Sequence, residues 1–555
     1  MERCNNDTDC GRGKGCQDGV CAARAPGSSS GSVSVSSSTV DSTSWGGGST
    51  AGPSSASAAG SGASSSGAAS SSGPLPLGIS PASGTARLGG SIRFQGTGGV
   101  PPYSYALSGP GRLDADGTYR RTWTAGPATV TASDAAGGTA SATLALPADS
   151  LAGGTTADET GWDVKVLADG TVFVVGETAG TMPGATPHGG ADYFVARFDP
   201  YGQLTWVAQD GTTGADTAAF LLVRGDSLLV VGHTAGTFTG QTSAGAHDVF
   251  LAVHRQTDGA RTAVLQAGGD GEDFVLGASL LKGNTPQVCV TGAAGGSLGG
   301  QTNAGGGSDQ FIMVLDVEGA PAVAWTALWG SGAYDAATGC VAGPTGTLVA
   351  GYTAGLMGAA SQGLQDATLT RFTAPSANPT VVLQLGGAGP DRAFSLQQPA
   401  TGDAFYLVGY TSSSDVMGET LHGTEDDCLV AALDSTFAVS WVRVLGTAAR
   451  ERCYTAIIDG AGNLVIGGHT AGTLVGHASA GGTDAYLHAL DPVGATVWTV
   501  QAGSAQPDGV NGLAVNTDGD VFAVGDAQGA WDGHAATGQQ DVFVFKVDHV
   551  SGARR

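Results

Sequence analysis

From about residue 150 onward, short apolar runs alternate with polar turns, and the alternation itself repeats. The first cycle opens with Trp162-Asp-Val-Lys-Val-Leu and an Asp169-Gly170 turn. Thr171-Val-Phe-Val-Val-Gly176 follows, then a longer loop to Asp192. Tyr193 to Phe198, a Pro200-Tyr-Gly202 turn and Leu204-Thr-Trp206-Val-Ala complete it. Apolar runs of about four to eight residues between Gly, Asp, Asn and Pro predict strands rather than helices. Each cycle therefore predicts four strands, here a, b, c and d. One acid marks strand c throughout: Asp192, Asp248, Asp309, Asp366, Asp427, Asp484 and Asp541, at intervals of 56, 61, 57, 61, 57 and 57 residues. A glycine also recurs at the end of strand b: Gly176, Gly232, Gly292, Gly351, Gly409, Gly468 and Gly525. A fixed period of this length signals a repeat architecture. Four strands per repeat without helices predict the blades of a β-propeller, closed into a ring that protects the sheet edges.

The second residue after each Asp is Phe194, Phe250, Phe311, Thr368, Leu429, Tyr486 or Phe543, a set that suits the interface between blades. Trp206, Trp325, Trp441 and Trp498 recur in strand d and read as core at matching positions. Each aspartate is expected to accept backbone N–H bonds in the turn before strand c. The seventh unit ends at Asp548-His-Val-Ser-Gly-Ala-Arg-Arg, before any strand d. The stretch from Ala148 to Gly153 is expected to complete that blade.

Residues 75–147 carry a different strand pattern. Leu77-Gly-Ile-Ser-Pro, Ile92-Arg-Phe, Tyr103-Ser-Tyr-Ala-Leu, Gly117-Thr-Tyr-Arg-Arg-Thr-Trp and Ala128-Thr-Val-Thr-Ala-Ser-Asp are spaced as in a small β-sandwich. Their sequence resembles the immunoglobulin-like modules of bacterial surface proteins, without the Cys…Trp…Cys set of antibody domains. Asp114-Ala-Asp116-Gly reads as a turn rather than a calcium loop. Residues 22–74 are nearly all Ser, Gly, Ala and Thr, a composition that buries too little to fold and reads as a flexible tether. Before it, Cys4, Cys10, Cys16 and Cys21 crowd into a segment too short for a core. With no His nearby and no Cys-x-x-Cys, a disulfide knob fits better than a zinc knuckle. The expected order is thus a Cys-rich knob (1–21), a tether (22–74), an immunoglobulin-like sandwich (75–147) and a seven-bladed propeller (148–555).

The propeller units resemble the seven-bladed β-propeller (SBBP) repeat of bacterial surface proteins. Gly170-Thr-Val-Phe-Val-Val-Gly-Glu-Thr-Ala-Gly, Gly346-Thr-Leu-Val-Ala-Gly-Tyr-Thr-Ala-Gly and Val465-Ile-Gly-Gly-His-Thr-Ala-Gly carry the likeness. So does Gly190-Ala-Asp-Tyr-Phe-Val-Ala-Arg-Phe-Asp-Pro-Tyr-Gly. The resemblance implies an all-β fold and a cell-surface setting, and brings no catalytic motif with it.

Composition narrows the function. Charged residues make up 13% of the 555, glycines number 94 and the formal net charge is −25. Such a chain offers nothing to nucleic acid or anionic lipid. No apolar run is long enough to span a membrane. Disulfides would place the chain in an oxidising, extracellular or outer-surface setting. Residues 1–20 hold no apolar signal segment, so the start is expected upstream; Arg3 argues against lipidation of Cys4.

Candidate chemistry is sparse. His188, His247, His422, His477 and His534 lie in b–c loops, and His233 and His469 follow the strand b glycine. All seven fall on one rim, where a metal or proton-linked site is one reading and tolerant polar loops the other. Spread around a wide ring, few of them can converge. Cys289/Cys340 and Cys428/Cys453 fall in adjoining units, so each pair is either a cross-blade disulfide or two buried thiols. Gly27-Ser-Ser-Ser-Gly and Gly295-Gly-Ser-Leu-Gly lack the strand-to-helix context of a nucleophile elbow. No phosphate-binding loop or zinc-protease helix occurs. No cofactor is implied. The expected function is an exported binding or adhesion scaffold for a protein or glycan, not an enzyme. The alternatives are a polysaccharide-acting enzyme with its site at the channel mouth and a purely structural spacer.

Overall fold

The computed structural model describes the backbone of residues 14–17 and 20–23, and residues 75–281, 286–343, 346–358, 362–373, 379–400 and 404–555. Most of the expected tether (22–74) and most of the expected Cys-rich knob (1–21) lie outside these. Within the knob, strands Lys14–Gln17 and Val20–Ala23 pair antiparallel with Cys16 opposite Cys21. The expected disulfides of Cys4, Cys10, Cys16 and Cys21 lie outside the described side chains.

Seven four-stranded antiparallel sheets follow one another along the chain. Strand a runs Glu159–Val166, Asp216–Arg224, Asp273–Leu281, Asp335–Gly343, Asp391–Gln397, Glu451–Ile458 and Asp508–Val515 in blades 1 to 7. Strand b runs Val172–Thr178, Ser227–Thr234, Gln287–Ala294, Gly346–Thr353, Phe405–Thr411, Leu464–Thr470 and Val521–Ala527. Strand c opens on the seven recurring aspartates, and strand d follows it. Each strand a packs against the blade before it, and strand a of blade 1 packs against blade 7, which closes the ring. The expectation for the last blade holds: Ser150–Gly153 pairs with Val542–Phe545 as its fourth strand. The Asp149 N–H also donates to the Arg555 carbonyl at 3.4 Å, so the two ends of the propeller segment meet beside this sheet.

The aromatic residues of strand c fill the blade interfaces. Phe194 packs with Val524 and Val542 of blade 7, Phe250 with Phe173 and Val175 of blade 1, and Phe543 with Leu487 and Ala489 of blade 6. Thr368 departs from this set, and Gln310 of blade 3 reaches it, Nε2 donating to Thr368 Oγ1 at 3.0 Å. The recurring glycine lies two residues before the end of strand b, not at its end as the sequence suggests. A side chain at Gly176 would strike the Thr160 carbonyl and the Phe194 ring, so close approach is what requires glycine there. The strand d tryptophans latch neighbouring blades. The indole N–H groups of Trp206, Trp441 and Trp498 donate to the carbonyls of Gln256, Pro492 and His549, each just after strand c of the next blade.

Residues 78–146 form a small β-sandwich with sheets of four, three and two strands over Phe94, Tyr119, Val130 and Leu144. Its strand Thr139–Leu146 lies beyond the strands read from sequence. The sandwich shares a core with blades 1 and 7 through Leu88, Trp123, Leu151 and Phe522. Asp149 ties the joint: it accepts the Leu88 N–H at 2.8 Å and pairs with Arg87 and the fully buried Arg121.

Two disulfides cross blade boundaries. Cys289 of strand b in blade 3 bonds Cys340 of strand a in blade 4, with Cα atoms 6.5 Å apart. Cys428 of strand c in blade 5 bonds Cys453 of strand a in blade 6, at 5.3 Å. Of the two readings open for these pairs, the disulfide is correct, and it suits an oxidising compartment.

Candidate functional site at the channel mouth

Every strand a carries a β-bulge one turn of the ladder below the long-loop rim. The register slips between Gly161 and Asp163, Ala218 and Phe220, Val275 and Gly277, Ala337 and Gly339, Ala393 and Ser395, Cys453 and Thr455, and Val510 and Gly512. A bulge leaves one residue unpaired and re-aims its side chain. On the innermost strand the residues so released are Trp162, Ala219, Leu276, Thr338, Phe394, Tyr454 and Asn511. Six are half-buried and Thr338 is buried, its hydroxyl donating to the Ala393 carbonyl of blade 5 at 2.8 Å. The apolar pattern begins strand a of blade 1 at Trp162, three residues late, which makes the bulged residue the first of a regular strand and hides the slip in register. The missed start is an acid five residues after a glycine: Glu159 after Gly154, and likewise Asp216, Asp273, Asp335, Asp391, Glu451 and Asp508. That spacing is visible in the sequence and would have phased the strand.

Chemistry around the mouth is uneven. In blades 4 to 6, Tyr352 meets Phe394 at 6.0 Å between ring centres, Phe394 stacks on Tyr410 at 5.5 Å, and Tyr454 meets Phe394 edge-on at 5.4 Å. His469 extends the row against Tyr454 at 5.5 Å. Two guanidinium groups are threaded between the rings. Arg392 lies over Tyr352 at 5.0 Å and Tyr410 at 5.7 Å, and Arg452 over Tyr410 at 4.6 Å. Arg392 Nε donates to Gln365 Oε1, and Arg452 pairs with Asp426. Burial pushes the Tyr410 hydroxyl above its ordinary range despite both arginines, so it stays a neutral donor. In blades 7, 1 and 2 hydrogen-bonded polar groups stand beside Trp162 instead. Asn511 bonds Asp526 at 2.6 Å and the Gly161 carbonyl at 3.0 Å; Gln540 bonds Thr160 at 2.8 Å and Thr217 bonds Glu177 at 2.6 Å.

The histidines singled out by sequence do not gather. His188 is exposed and gives its backbone N–H to Asp192. His422 contacts Asp427 at 3.2 Å, His477 contacts Thr499 at 3.1 Å and His534 contacts the Ser150 carbonyl at 3.1 Å. Only His233 and His247 come together, with ring centres 6.0 Å apart, and both lie against Phe274. Burial, and then the neighbouring His247, push His233 down to about 3, so it is neutral at physiological pH. Among the described residues no group of three or more His, Cys, Asp or Glu is arranged to hold a metal ion.

All seven strand c aspartates accept a backbone N–H from their own loop, from His188, Ala244, Ala304, Gln362, His422, Ala480 and Thr537. In four blades a strand d glutamine joins them: Gln209, Gln266, Gln384 and Gln501 donate to Asp192, Asp248, Asp366 and Asp484 at 2.7–2.8 Å. These acids sit between blades, away from the channel residues.

No family model and no curated protein matches the chain. Among solved structures it is similar to a quinohemoprotein alcohol dehydrogenase from Pseudomonas putida HK5, at 10% identity and TM-score 0.34, over 79% of this chain and 73% of that one. It is similar to the rhamnogalacturonan lyase YesW at 12% identity and TM-score 0.33, over 85% and 91%. An apocarotenoid oxygenase from Synechocystis is similar at 12% identity and TM-score 0.32, over 62% and 90%.

Proposed function

We propose that this protein is an exported cell-surface scaffold whose propeller binds a glycan or protein at the long-loop mouth of its channel. The single observation behind this reading is the arc of Tyr352, Arg392, Phe394, Tyr410, Arg452 and Tyr454 on one side of the mouth. Flat aromatic faces bury the apolar faces of a ligand, and planar guanidinium groups supply fixed donors in a chain that is otherwise strongly acidic. The polar groups opposite, Asn511, Asp526 and Glu177, would orient the far side of the same ligand. A saccharide, apolar on its ring faces and polar at its edges, suits both sides.

In this reading the propeller units are SBBP repeats, and the sandwich is an immunoglobulin-like module that fixes the propeller to the tether. Glycan-array binding and pull-down by the full chain test it, with a Phe394→Ala/Tyr454→Ala variant as control. Binding lost in the variant at near-normal melting supports the reading. Equal binding by both proteins would place the ligand elsewhere, no ligand in either screen would favour a spacer, and turnover of a bound polysaccharide would favour an enzyme.

A further inference from the structure

At every blade junction a glycine separates two buried carboxyl groups from different blades. Gly154, Gly211, Gly268, Gly330, Gly386, Gly446 and Gly503 each follow strand d or its equivalent. A side chain built at any of them would come within 3.0 Å of both the strand c acid of one blade and the strand a acid of the next. The pairs are Asp541/Glu159, Asp192/Asp216, Asp248/Asp273, Asp309/Asp335, Asp366/Asp391, Asp427/Glu451 and Asp484/Asp508. Two dry carboxylates facing each other are unfavourable unless something lies between them or donates to them. One oxygen of each strand c acid is served by the loop N–H. The other, Oδ1, is buried without a hydrogen-bond partner among the described residues in Asp192, Asp309, Asp366, Asp427 and Asp484, all at most 1% exposed.

The strand a acids are served unequally. Each accepts a backbone N–H from the residue four before it. In five blades a threonine ends strand b beside the carboxyl; Thr178 donates to Glu159 at 2.7 Å and Thr470 to Glu451 at 2.5 Å. Blades 3 and 7 carry Ala294 and Ala527 at that place. Blade 3 also has Gly269 where blade 2 has Thr212 and blade 4 has Ser331, so Asp273 has lost both hydroxyl donors and its Oδ1 is unpartnered.

We propose that the Asp248/Asp273 and Asp484/Asp508 pairs each bind one proton between adjacent blades, converting a carboxylate repulsion into an O–H···O clasp. A proton is the occupant that fits, because a cation would need further oxygen ligands and no third acid joins either pair. It sits between the oxygens that the two carboxyls turn to the glycine, Oδ1 of Asp248 or Asp484 and Oδ2 of Asp273 or Asp508, at the two junctions where strand b ends in alanine rather than threonine. The charged and titratable groups around Asp273 are Asp248, Asp270, Glu272 and His247; around Asp508 they are Asp484, Asp526 and His469. Burial raises Asp273 to about 6 and Asp508 to about 7, against an ordinary 3.8.

The test is thermal unfolding of the full chain between about pH 4.5 and 8.5, for wild type, Asp273→Asn/Asp508→Asn and Ala294→Thr/Ala527→Thr. Asn supplies a permanent donor, and Thr restores the hydroxyl of the other blades. Wild type is expected to melt lower as pH rises through 6 and 7, and the Asn variant to lose about two protons' worth of that slope. The Thr variant should lose part of it. A slope unchanged in both variants would overturn the proposal. If the Asn variant does not fold, infrared difference spectra of wild type decide. A protonated-carboxyl band present near pH 6 and absent near pH 8.5 supports the clasp, and no such band refutes it. A saturable rise in melting with calcium alone at pH 8, equal in size to the effect of acid, would make these cation sites instead.

Discussion

The blade junctions and the channel mouth are built from the same repeat and obey opposite rules. At the junctions all seven copies keep the same three parts: a glycine, the strand c acid and the strand a acid. At the mouth the bulge position keeps only its geometry, while its residue runs through Trp162, Ala219, Leu276, Thr338, Phe394, Tyr454 and Asn511. A feature common to all copies serves the contact each blade makes with the next. A feature that changes from copy to copy breaks the ring's symmetry, which a single ligand site requires. The junctions thus read as the means of holding the ring, and the mouth as the place where one chain acquires its own specificity.

The comparison breaks most sharply at the junction glycines. Gly446→Ala would press a methyl group between Asp427 and Glu451, whose carboxyl groups are anchored by the His422 and Thr447 N–H donors. Denaturant unfolding should show a loss of about 3 kcal/mol with ligand affinity of the folded fraction intact. Removing a cross-blade disulfide by Cys289→Ser or Cys428→Ser comes next, at about 2–4 kcal/mol, read as a fall in melting temperature that a reductant reproduces in wild type. Asp484→Ala leaves the Ala480 N–H and the Gln501 amide without their acceptor. A loss of about 2 kcal/mol follows, again without effect on the mouth.

The pH dependence runs in an unusual direction for a chain so rich in acids. Because Asp273 and Asp508 titrate higher in the fold than in the unfolded chain, their contribution is fully present below about pH 4 and is lost as pH rises through about 6 and 7. Unfolding free energy should therefore decline across that window. Smallest in stability is the Tyr454→Ala change at the half-buried mouth, expected to cost about 1 kcal/mol. Unlike the junction changes, it is expected to weaken ligand binding.

Much of the junction was legible in the sequence and little of the mouth was. The strand c aspartates and strand b glycines recur with their repeat, so period alone revealed them, and the missing last strand pointed to the stretch from Ala148 to Gly153, within which Ser150–Gly153 pairs. The reasons behind them were not legible. Nothing in the string Val175-Gly176 says that a carbonyl from strand a and the Phe194 ring press on that glycine. The strand a acids were overlooked because the strand was read from its apolar residues, and its first residue is a buried acid. The mouth residues share no type, so no repeat pattern marks them; only the slip in register shows that Phe394 and Tyr454 occupy one position. Histidines drew notice as a type, yet His188, His422, His477 and His534 make separate local contacts around the ring.

The central claim is that common parts hold the ring and varying parts bind. It is tested most directly by measuring melting temperature and ligand affinity together for Asp484→Ala and Phe394→Ala/Tyr454→Ala in the full chain. The account predicts a crossed result: lower melting with unchanged affinity for the first, and near-normal melting with lost affinity for the second. Loss of affinity in Asp484→Ala at unchanged melting, with full affinity in the mouth variant, would contradict it.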